Sequence, residues 1–340
     1  MHVLKLVVIA IRKLFFMNTF YEKLVHSLRT DILELFLLPT EKCNFNCPYC
    51  YEEHVLGMMQ PKLVEAIKKF ISQKINNLTL LSIIWYGGEP LLAIPVIEDI
   101  SLSILSIIHN KINFYYESMI ITNGYLLDFE VAEHLYSFGV KTFQITFDGP
   151  QSLHDYTRSC NDGQGTFNKI WNNLITIKNS RLPIKIIIRI HFTPQNLKVM
   201  PDFIACVKNT FLGDNRFSII MKSVALLGDS DIKDFKVIPK SFRPEIIKKI
   251  GDMFFDRSLR DPRIYLPDIC HASRHNAFTI RPNGDVCKCM VSLNDPKNNI
   301  GHLRPNGSLE LDEKKCQYWF RGWLLHNEKI LACPAKGITH

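Results

Sequence analysis

Short apolar runs alternate with amphipathic stretches from residue 33 to residue 228. Runs such as IKIIIRI, which are rich in β-branched residues, are typical of strands buried on both faces of a parallel sheet. The amphipathic stretches between them have the length and period of crossover helices. Six such strand–helix units favour a barrel or partial barrel over an open sheet. The pattern therefore predicts an α/β fold built on a partial (β/α)6 TIM-like barrel.

The ends of these elements follow from where each apolar run starts and stops. The predicted strands span residues 33–39, 81–86, 119–122, 142–147, 184–192 and 217–224. The predicted helices span residues 61–75, 96–109, 129–138, 166–178 and 200–208. Function in barrels of this kind lies at the carboxyl ends of the strands. The tripeptides Gly-Gly-Glu at 87–89, Thr-Asn-Gly at 122–124 and Asp-Gly-Pro at 148–150 occupy that position.

The pattern changes after the sixth strand. Residues 229–269 are charged and contain one helical stretch at 244–255, so we expect a bridging segment. Two short apolar runs at 278–281 and 286–290 flank an Asn-Gly turn, which predicts a β-hairpin, and a helix is expected at about 312–325. The chain thus divides into an N-terminal extension at 1–32, the barrel at 33–228, the bridge at 229–269 and a small C-terminal α+β domain at 270–340.

The first 17 residues begin with an apolar run that Arg12 and Lys13 interrupt. The run is far shorter than the ~20 apolar residues that a membrane span needs, and no small-residue cleavage site follows it. Three interpretations stay open: translation starts at Met17, the segment is an amphipathic helix packed on the body, or it is a membrane-surface anchor. No other run is judged long enough to span a membrane, so we expect a cytoplasmic protein with reduced thiols.

Composition adds one strong signal, the cysteines. The net charge of +8 is mild and no block of basic residues carries it, so a nucleic-acid partner is not expected. Ten cysteines in 340 residues are too few for a disulfide scaffold, and their clustered spacing indicates metal binding. Cys206 is an exception, because it lies in an apolar helical stretch and is expected to be buried as a small hydrophobic residue.

The first cysteine cluster is CNFNCPYC, directly after the first predicted strand, with Cys43, Cys47 and Cys50 in the spacing C-x3-C-x2-C. Thiolates are soft ligands that suit iron–sulfur clusters or zinc. Three thiolates on one loop can hold three irons of a four-iron cluster and leave the fourth iron open. The alternative is a structural zinc site, for which His54 is the nearest fourth ligand.

This motif, in this place in a six-unit β/α chain, resembles the radical S-adenosylmethionine (SAM) superfamily, and Tyr49 before the third cysteine is also usual there. In that family the open iron of a [4Fe–4S] cluster chelates SAM, and one electron cleaves SAM to a 5′-deoxyadenosyl radical. The radical abstracts a hydrogen atom from the substrate. The resemblance implies a cluster held by the three cysteines and a SAM site that includes Tyr49.

Further segments extend the resemblance over residues 33–224. YGGEP at 86–90 resembles the family's GGEP stretch, which binds the amino group of SAM through its backbone. ITNG and ITFDGP resemble the strand ends that line the ribose and substrate side. The cofactor-binding candidates that follow are Gly87, Gly88, Glu89, Pro90, Thr122, Asn123 and Thr146.

The remaining candidates in the barrel are charged groups and one thiol. Arg189 and Arg158 are candidates for the carboxylate of SAM or of a substrate, with a structural ion pair as the alternative. Asp148 is a candidate base or hydrogen-bond acceptor for substrate, with a turn cap as the alternative. Cys160 is a surface thiol or a substrate-handling thiol, and His191 is expected to be structural.

The second cysteine set lies in CHASRHNAFTIRPNGDVCKC, which holds Cys270, Cys287 and Cys289. This segment resembles the opening of the auxiliary-cluster region called SPASM, or its shortened "twitch" form. The resemblance implies one auxiliary [4Fe–4S] cluster with Cys270, Cys289 and Cys333 as ligands. The fourth ligand would be Cys316 or Cys287, or the position stays open to substrate. A zinc site built from these C-terminal cysteines is the alternative.

The family resemblance also implies a function. SPASM and twitch enzymes modify peptides, so we expect a ribosomally made precursor peptide as substrate, with a crosslink, a thioether or an epimerised residue as product. A flavodoxin or ferredoxin would donate the electron, and a separate leader-binding protein is a possible partner since residues 1–32 are short for a leader-binding domain. The alternatives are sulfatase-maturation-type oxidation of a Cys or Ser in a protein, and a non-catalytic iron–sulfur or zinc protein.

Overall fold

A computed structural model describes residues 24–25, 27–227, 235–254 and 269–335. The three interpretations of residues 1–17 lie outside the described residues, as do residues 229–234 and 255–268 of the predicted bridge. The strands are β1 Ile32–Leu37, β2 Leu80–Trp85, β3 Tyr115–Thr122, β4 Thr142–Phe147, β5 Lys185–Phe192, β6 Phe217–Ser223, β7 Ala277–Ile280, β8 Asp285–Cys287, β9 Asn299–Leu303 and β10 Leu309–Leu311. The helices are α1 Pro61–Lys74, α2 Ile94–Ile108, α3 Phe129–Ser137, α4 Gln151–Thr157, α5 Phe167–Asn179, α6 Met200–Phe211, α7 Arg243–Phe254, α8 Glu313–Leu324 and α9 Glu328–Ala332.

The strands form one ten-stranded sheet in the order β10-β9-β8-β7-β1-β2-β3-β4-β5-β6. Strands β1 to β6 are parallel and are joined by helices, which confirms the predicted α/β fold with a parallel sheet. The C-terminal unit continues this sheet, because β7 pairs in parallel with β1 and the strands from β7 to β10 then pair antiparallel. Main-chain pairing therefore fixes the C-terminal cysteines relative to the barrel.

Helix starts agree with local signals in the sequence. Helix α1 begins at Pro61, whose fixed φ and missing N–H suit the first helical position. The Asp128 carboxylate accepts a hydrogen bond from the Val131 amide at 2.9 Å and caps α3. The Asp312 carboxylate caps α8 in the same way through the Lys315 amide at 3.1 Å. The short elements α4, α9, β9 and β10 were not predicted, because none of them contains a continuous apolar run of the kind that marks the other strands and helices.

One helical segment corrects an expectation from the sequence. Pro90–Ile108 is long and apolar enough, by length and composition only, to cross a membrane, although no such run was expected. It connects β2 to β3, which lie side by side in the sheet. Val96, Ile97, Ile100 and Ile104 are buried at helical spacing against the barrel core. We therefore interpret the segment as a core crossover helix.

Candidate active site

The first cysteine cluster lies on the loop after β1, at the carboxyl edge of the parallel strands. Its three thiols are half-buried. The loop is fixed by a chain segment after α4: the Asn46 amide donates to the Ser159 carbonyl at 3.0 Å, and the Asn161 side chain donates to the Cys43 carbonyl at 3.0 Å. Cys160 lies within this same segment, and its backbone pairs with that of Phe45 in an isolated antiparallel β-bridge. Cys160 therefore lies beside the cysteine loop.

Gly88 fixes the cysteine loop from the other side. Its φ is +30°, and an added Cβ would lie 2.3 Å from the Lys42 carbonyl oxygen and 2.5 Å from the Glu41 carbonyl oxygen. The Glu89 amide donates to the Lys42 carbonyl at 2.9 Å, and the Glu52 carboxylate accepts from the Gly88 amide at 2.8 Å. The glycine-rich segment after β2 thus allows a close approach of two loop backbones.

Glu89 holds the ends of neighbouring strands together. Its fully buried carboxylate accepts hydrogen bonds from the Leu91 amide at 3.0 Å, the Thr122 hydroxyl at 2.7 Å and the Asn123 amide at 2.7 Å. The Asn123 side chain then donates to the Asn44 side chain on the cysteine loop at 2.8 Å. The carboxylate of Glu89 therefore positions the loops at this edge, while Pro90 starts a buried turn of 3-10 helix beside it.

Tyr49 connects the cysteine loop to the strand end after β4. Its hydroxyl donates to Asp148 Oδ2 at 2.6 Å and accepts from the Arg158 guanidinium at 3.0 Å. The Thr157 hydroxyl donates to the same carboxylate oxygen at 2.7 Å, and His191 Nδ1 lies 3.3 Å from Asp148 Oδ1. The group of Tyr49, Asp148, Arg158 and His191, which we call the interior polar cluster, is buried.

Charge within the interior polar cluster keeps Asp148 ionised. Burial favours a raised pKa for Asp148, but His191 and Arg158 outweigh burial and hold the pKa well below its usual range. Burial lowers the pKa of His191, which favours the neutral imidazole. An ionised carboxylate, a guanidinium and an imidazole that favours its neutral form therefore lie together beside the cysteine loop.

Three buried side-chain nitrogens in this region have no hydrogen-bond partner among the described residues. They are Arg158 Nε, Arg189 Nε and His191 Nε2. Arg189 lies on β5 in register with Thr146 on β4, which is also buried. Buried polar atoms are almost always paired in folded proteins, so a group of orphans indicates a polar ligand. His191 was expected to be structural, although its spacing of two from Arg189 puts both on one strand face.

The cysteine loop fits a four-iron cluster by the chemistry of its donors. Burial raises the pKa of both Cys43 and Cys47 to about 12, with neighbouring thiols adding to this effect. Such thiols ionise when bound metal supplies the compensating positive charge. Among the described residues, no group of three His, Cys, Asp or Glu side chains is placed to hold a single metal ion. A four-iron cluster distributes its thiolates over several metal atoms, and three thiols of this loop are available to it.

Four of the C-terminal cysteines interact electrostatically, Cys270, Cys289 and Cys333 with one another and Cys287 with Cys289. Cys270, Cys289 and Cys333 lie within electrostatic range of one another, and burial raises the pKa of Cys270 to about 11. Cys287 is fully buried next to Arg281, and burial raises the pKa of its thiol to about 12. The three mutually close thiols are the three predicted auxiliary ligands, whose role as ligands stays a prediction.

Cys316 and Lys288 also influence each other electrostatically. Burial raises the pKa of Cys316, and Lys288 opposes this shift. Lys288 is itself fully buried, and burial lowers its pKa to about 7, while Cys316 and Cys270 act in the opposite direction. Lys288 had not been singled out in the sequence, where only its place between Cys287 and Cys289 could have drawn notice.

Cys206 corrects the sequence-based expectation of burial, because its thiol is exposed. The buried residues of α6 are Met200, Phe203, Ile204, Val207 and Phe211. These positions recur at spacings of three and four and define the inner face of the helix. Position 206 falls on the opposite face, which a generally apolar stretch does not reveal.

Comparison with known proteins agrees with this site. The profile of the Radical SAM superfamily matches residues 37–205, from the end of β1 through α6. This chain carries a radical SAM domain. The matched residues include the cysteine loop, the glycine-rich segment after β2 and the interior polar cluster. The SAM-binding and cluster-binding roles of individual residues stay predictions.

Relatives place the domain among enzymes with longer chains. The radical SAM cyclopropyl synthase TigE of Paramaledivibacter caminithermalis is 28% identical over 161 residues, which is 42% of this chain and 32% of that protein. The chain therefore aligns with about a third of TigE. A serine-type anaerobic sulfatase-maturating enzyme of Bacteroides thetaiotaomicron is 24% identical over 325 residues, 82% of this chain and 73% of that enzyme.

Solved structures show the same fold. A structure of anSMEcpe with bound AdoMet has a TM-score of 0.69 and 19% identity, covering 89% of this chain and 88% of that one. Streptococcus suis SuiB bound to S-adenosylmethionine has a TM-score of 0.52 and 16% identity, covering 79% of this chain and 63% of that one. At these identities the likeness concerns the fold, and it extends beyond the barrel into the C-terminal unit.

Proposed function

We propose that this protein is a radical SAM enzyme that abstracts a hydrogen atom from a peptide or protein substrate. The observation that carries the proposal is the group of orphaned polar atoms in the interior polar cluster and on Arg189, next to three half-buried thiols. A [4Fe–4S] cluster with SAM would supply one-electron cleavage of SAM and a 5′-deoxyadenosyl radical. The residues around it would bind, orient and exclude water.

The two arginines are suited to carboxylate recognition. Arg158 is fixed by its hydrogen bond to Tyr49 and by its place 5.7 Å from the centre of the Phe45 ring. Arg189 has a buried Nε with no partner, and guanidinium groups bind carboxylates through two parallel hydrogen bonds. We infer that these cations hold the carboxylate of SAM and an acidic or carbonyl group of substrate.

Asp148 and His191 are suited to handling a proton or a donor group of the substrate. Asp148 Oδ2 accepts hydrogen bonds from Tyr49 and Thr157, and Oδ1 lies 3.3 Å from His191 Nδ1, so the carboxylate positions the imidazole. His191 Nε2 is buried without a hydrogen-bond partner among the described residues, and burial lowers the pKa of the imidazole, which favours its neutral form. We propose that His191 Nε2 accepts a hydrogen bond or a proton from the substrate.

Peptide-bound relatives of the fold support a peptide substrate. Solved structures with the same fold include anSMEcpe with AdoMet and Cp18Cys peptide, at 20% identity, and SuiB bound to precursor peptide SuiA, at 15% identity. Two substrate classes follow for this chain. One is a ribosomally made precursor peptide that receives a crosslink, a thioether or an epimerised residue. The other is a sulfatase-type cysteine or serine that is oxidised.

A specific observation favours each class. The sulfatase-maturating relative aligns over 325 residues, which is most of both chains. The precursor-peptide class is supported by the fold shared with SuiB, which has been solved bound to precursor peptide SuiA. We therefore keep both substrate classes as candidates and distinguish them by testing which substrate the protein modifies.

The experiment offers both substrates to the iron-loaded, reduced protein with SAM. One substrate is a sulfatase-derived peptide with its target cysteine or serine, and the other is a small peptide encoded beside this protein's gene. An aldehyde on the first peptide identifies sulfatase-type oxidation, whereas a mass change on the second identifies precursor modification. A protein that forms 5′-deoxyadenosine and modifies neither peptide would contradict both substrate classes.

We also propose one auxiliary [4Fe–4S] cluster at Cys270, Cys289 and Cys333, because these thiols converge in the C-terminal unit. The electron would come from a flavodoxin or ferredoxin in the cytoplasm, and leader recognition would use the barrel edge, the C-terminal unit or a separate protein. Anaerobic reconstitution with iron and sulfide counting tests the cluster. About eight irons per chain supports two four-iron clusters, and about four irons contradicts the auxiliary one.

A further inference from the structure

Lys288 is the buried charged group that the proposed function leaves unused. It lies between Cys287 and Cys289 in sequence and has no exposed surface. Burying an ammonium group is costly unless hydrogen bonds or opposite charge compensate it. Within the described ranges, no carboxylate oxygen lies at ion-pair distance from its Nζ, although six other lysine and arginine side chains have ion pairs there. The compensation for this charge therefore needs another source.

The immediate surroundings of the ammonium are uncharged acceptors. Nζ donates to the Ala277 carbonyl at 2.6 Å and to the Arg274 carbonyl. It also lies 5.0 Å from the centre of the Phe278 ring and 5.0 Å from the centre of the Phe320 ring. Carbonyl oxygens and aromatic faces both attract a cation. The side chain is thus fixed between β7 and α8 in a site shaped for a positive charge.

Two proposed cluster ligands flank the site of Lys288. Cys289 is the next residue, and the amides of Lys288 and Cys289 both donate to Asn298 Oδ1, at 3.0 and 2.7 Å. The Arg274 carbonyl that accepts from Nζ directly follows the short 3-10 turn His271–Ser273, which begins after Cys270. The nearby carboxylate of Glu34 is already paired with Arg274 at 3.2 Å. Lys288 therefore lies beside the proposed auxiliary cluster site.

We propose that Lys288 provides the buried counter-charge of the auxiliary cluster and raises its reduction potential. The inference rests on the auxiliary cluster of the proposed function. Reduction adds one electron and no proton to a thiolate-bound [4Fe–4S] cluster, so the reduced form is one unit more negative than the oxidised form. A fixed cation in a low-dielectric interior stabilises the reduced form more than the oxidised form. Lys288 acts through the cluster and is therefore a positioning residue.

The test measures the midpoint potential of the auxiliary cluster by an EPR-monitored titration with dithionite. The parent is the full chain with Cys43, Cys47 and Cys50 changed to Ala, so that only C-terminal iron is observed. In this parent we compare Lys288→Met, Lys288→Arg and Lys314→Met. Lys314 lies exposed on α8, so its substitution removes the same unit of charge from the surface of the same unit.

We expect Lys288→Met to shift the potential to a more negative value, Lys288→Arg to retain most of the parent potential, and Lys314→Met to retain all of it. An iron-loaded Lys288→Met variant with the parent potential would overturn the proposal. If Lys288→Met fails to hold iron while Lys288→Arg holds it, the charge is required for assembly and the proposal stands. If both Lys288→Met and Lys288→Arg lose iron, Lys288 acts through packing and the proposal is overturned. A parent without iron contradicts the auxiliary cluster itself, before any change at Lys288.

Discussion

At the scale of single residues, local motifs were visible in the sequence and long-range partners were not. The cysteines, the glycine-rich segment and the strand-end tripeptides each lie within a few positions of one another, so spacing alone marks them. The hydrogen bond from Tyr49 to Asp148 joins residues 99 positions apart, and the bond from Arg158 to Tyr49 spans 109. Which charged groups converge depends on how the loops after different strands pack together, which no local pattern encodes.

Gly88→Ala tests the approach of two loop backbones. A Cβ at φ +30° would lie 2.3 Å from the Lys42 carbonyl oxygen, and backbone strain there costs about 1–3 kcal/mol before the clash is counted. We expect a less stable protein that binds less iron after reconstitution, measured by urea unfolding and iron counting. Gly213→Ala is the matched control, because no atom lies within 4 Å of its added Cβ. Equal iron content and stability in both variants would contradict the role of Gly88.

His154→Gln tests a buried neutral histidine. The Asp148 amide donates to His154 Nδ1 at 3.3 Å, so Nε2 carries the proton toward the Thr166 hydroxyl at 3.1 Å. Burial, followed by Arg158, lowers the pKa of His154 to about 3 from 6.5. Below pH 6.5 the histidine is protonated in the unfolded chain but stays neutral in the folded protein. The free energy of unfolding therefore decreases as the pH is lowered from 6.5 to about 3.

We expect this histidine to contribute a slope of up to about 1.4 kcal/mol per pH unit across that window. His154→Gln should reduce the slope, as measured by urea unfolding at a series of pH values. Thr166→Ser keeps both the hydroxyl and the histidine and should keep the slope of the parent protein. An unchanged slope in His154→Gln would show that the histidine is already charged in the folded state.

At the scale of elements, one ion pair connects the C-terminal hairpin to the cysteine loop. The Arg281 guanidinium donates to both oxygens of Glu41, at 2.7 and 3.1 Å, and to the Leu293 carbonyl at 2.9 Å. Both side chains are nearly buried, at 11% and 4% exposure, so the pair is shielded from solvent. The hairpin was predicted from its Asn-Gly turn, but its pairing with β1 and this contact were not, because both depend on tertiary arrangement.

Glu41→Gln should destabilise the protein by about 3–5 kcal/mol, since it leaves the Arg281 charge buried and unpaired. Arg281→Lys keeps the charge but loses the two parallel hydrogen bonds, so we expect a smaller loss. A double-mutant cycle with Glu41→Gln and Arg281→Gln measures the coupling by urea unfolding. Additive losses in that cycle would contradict a direct interaction between the two side chains.

At the scale of the whole molecule, the barrel and the C-terminal unit share one sheet. Strand β7 pairs with β1 over Glu34–Ala277 to Leu37–Ile280, so β1 has strands on both sides. The order of β1 to β6 followed from the alternation of strands and helices, whereas β9 and β10 were too short to predict. The sequence pattern gave no indication that the second cysteine set would join the same sheet as the first.

A fragment of residues 24–254 tests this shared sheet. Removing the C-terminal unit exposes one edge of β1 and the apolar surface under β7. We therefore expect the full chain to unfold in a single cooperative transition and the fragment to lack that transition, as measured by circular dichroism. A second truncation after residue 335 serves as the control and should unfold like the full chain. A 24–254 fragment with the unfolding midpoint of the full chain would show that the barrel folds independently.

The central claim is that the site at the cysteine loop performs radical SAM chemistry. The most direct measurement is 5′-deoxyadenosine formed from SAM by the full chain after anaerobic reconstitution and reduction. We predict formation by the parent protein, none by Cys47→Ala, and at least partial formation by Cys270→Ala, since Cys270 lies in the C-terminal unit. An iron-loaded, reduced parent protein that leaves SAM intact would contradict the claim.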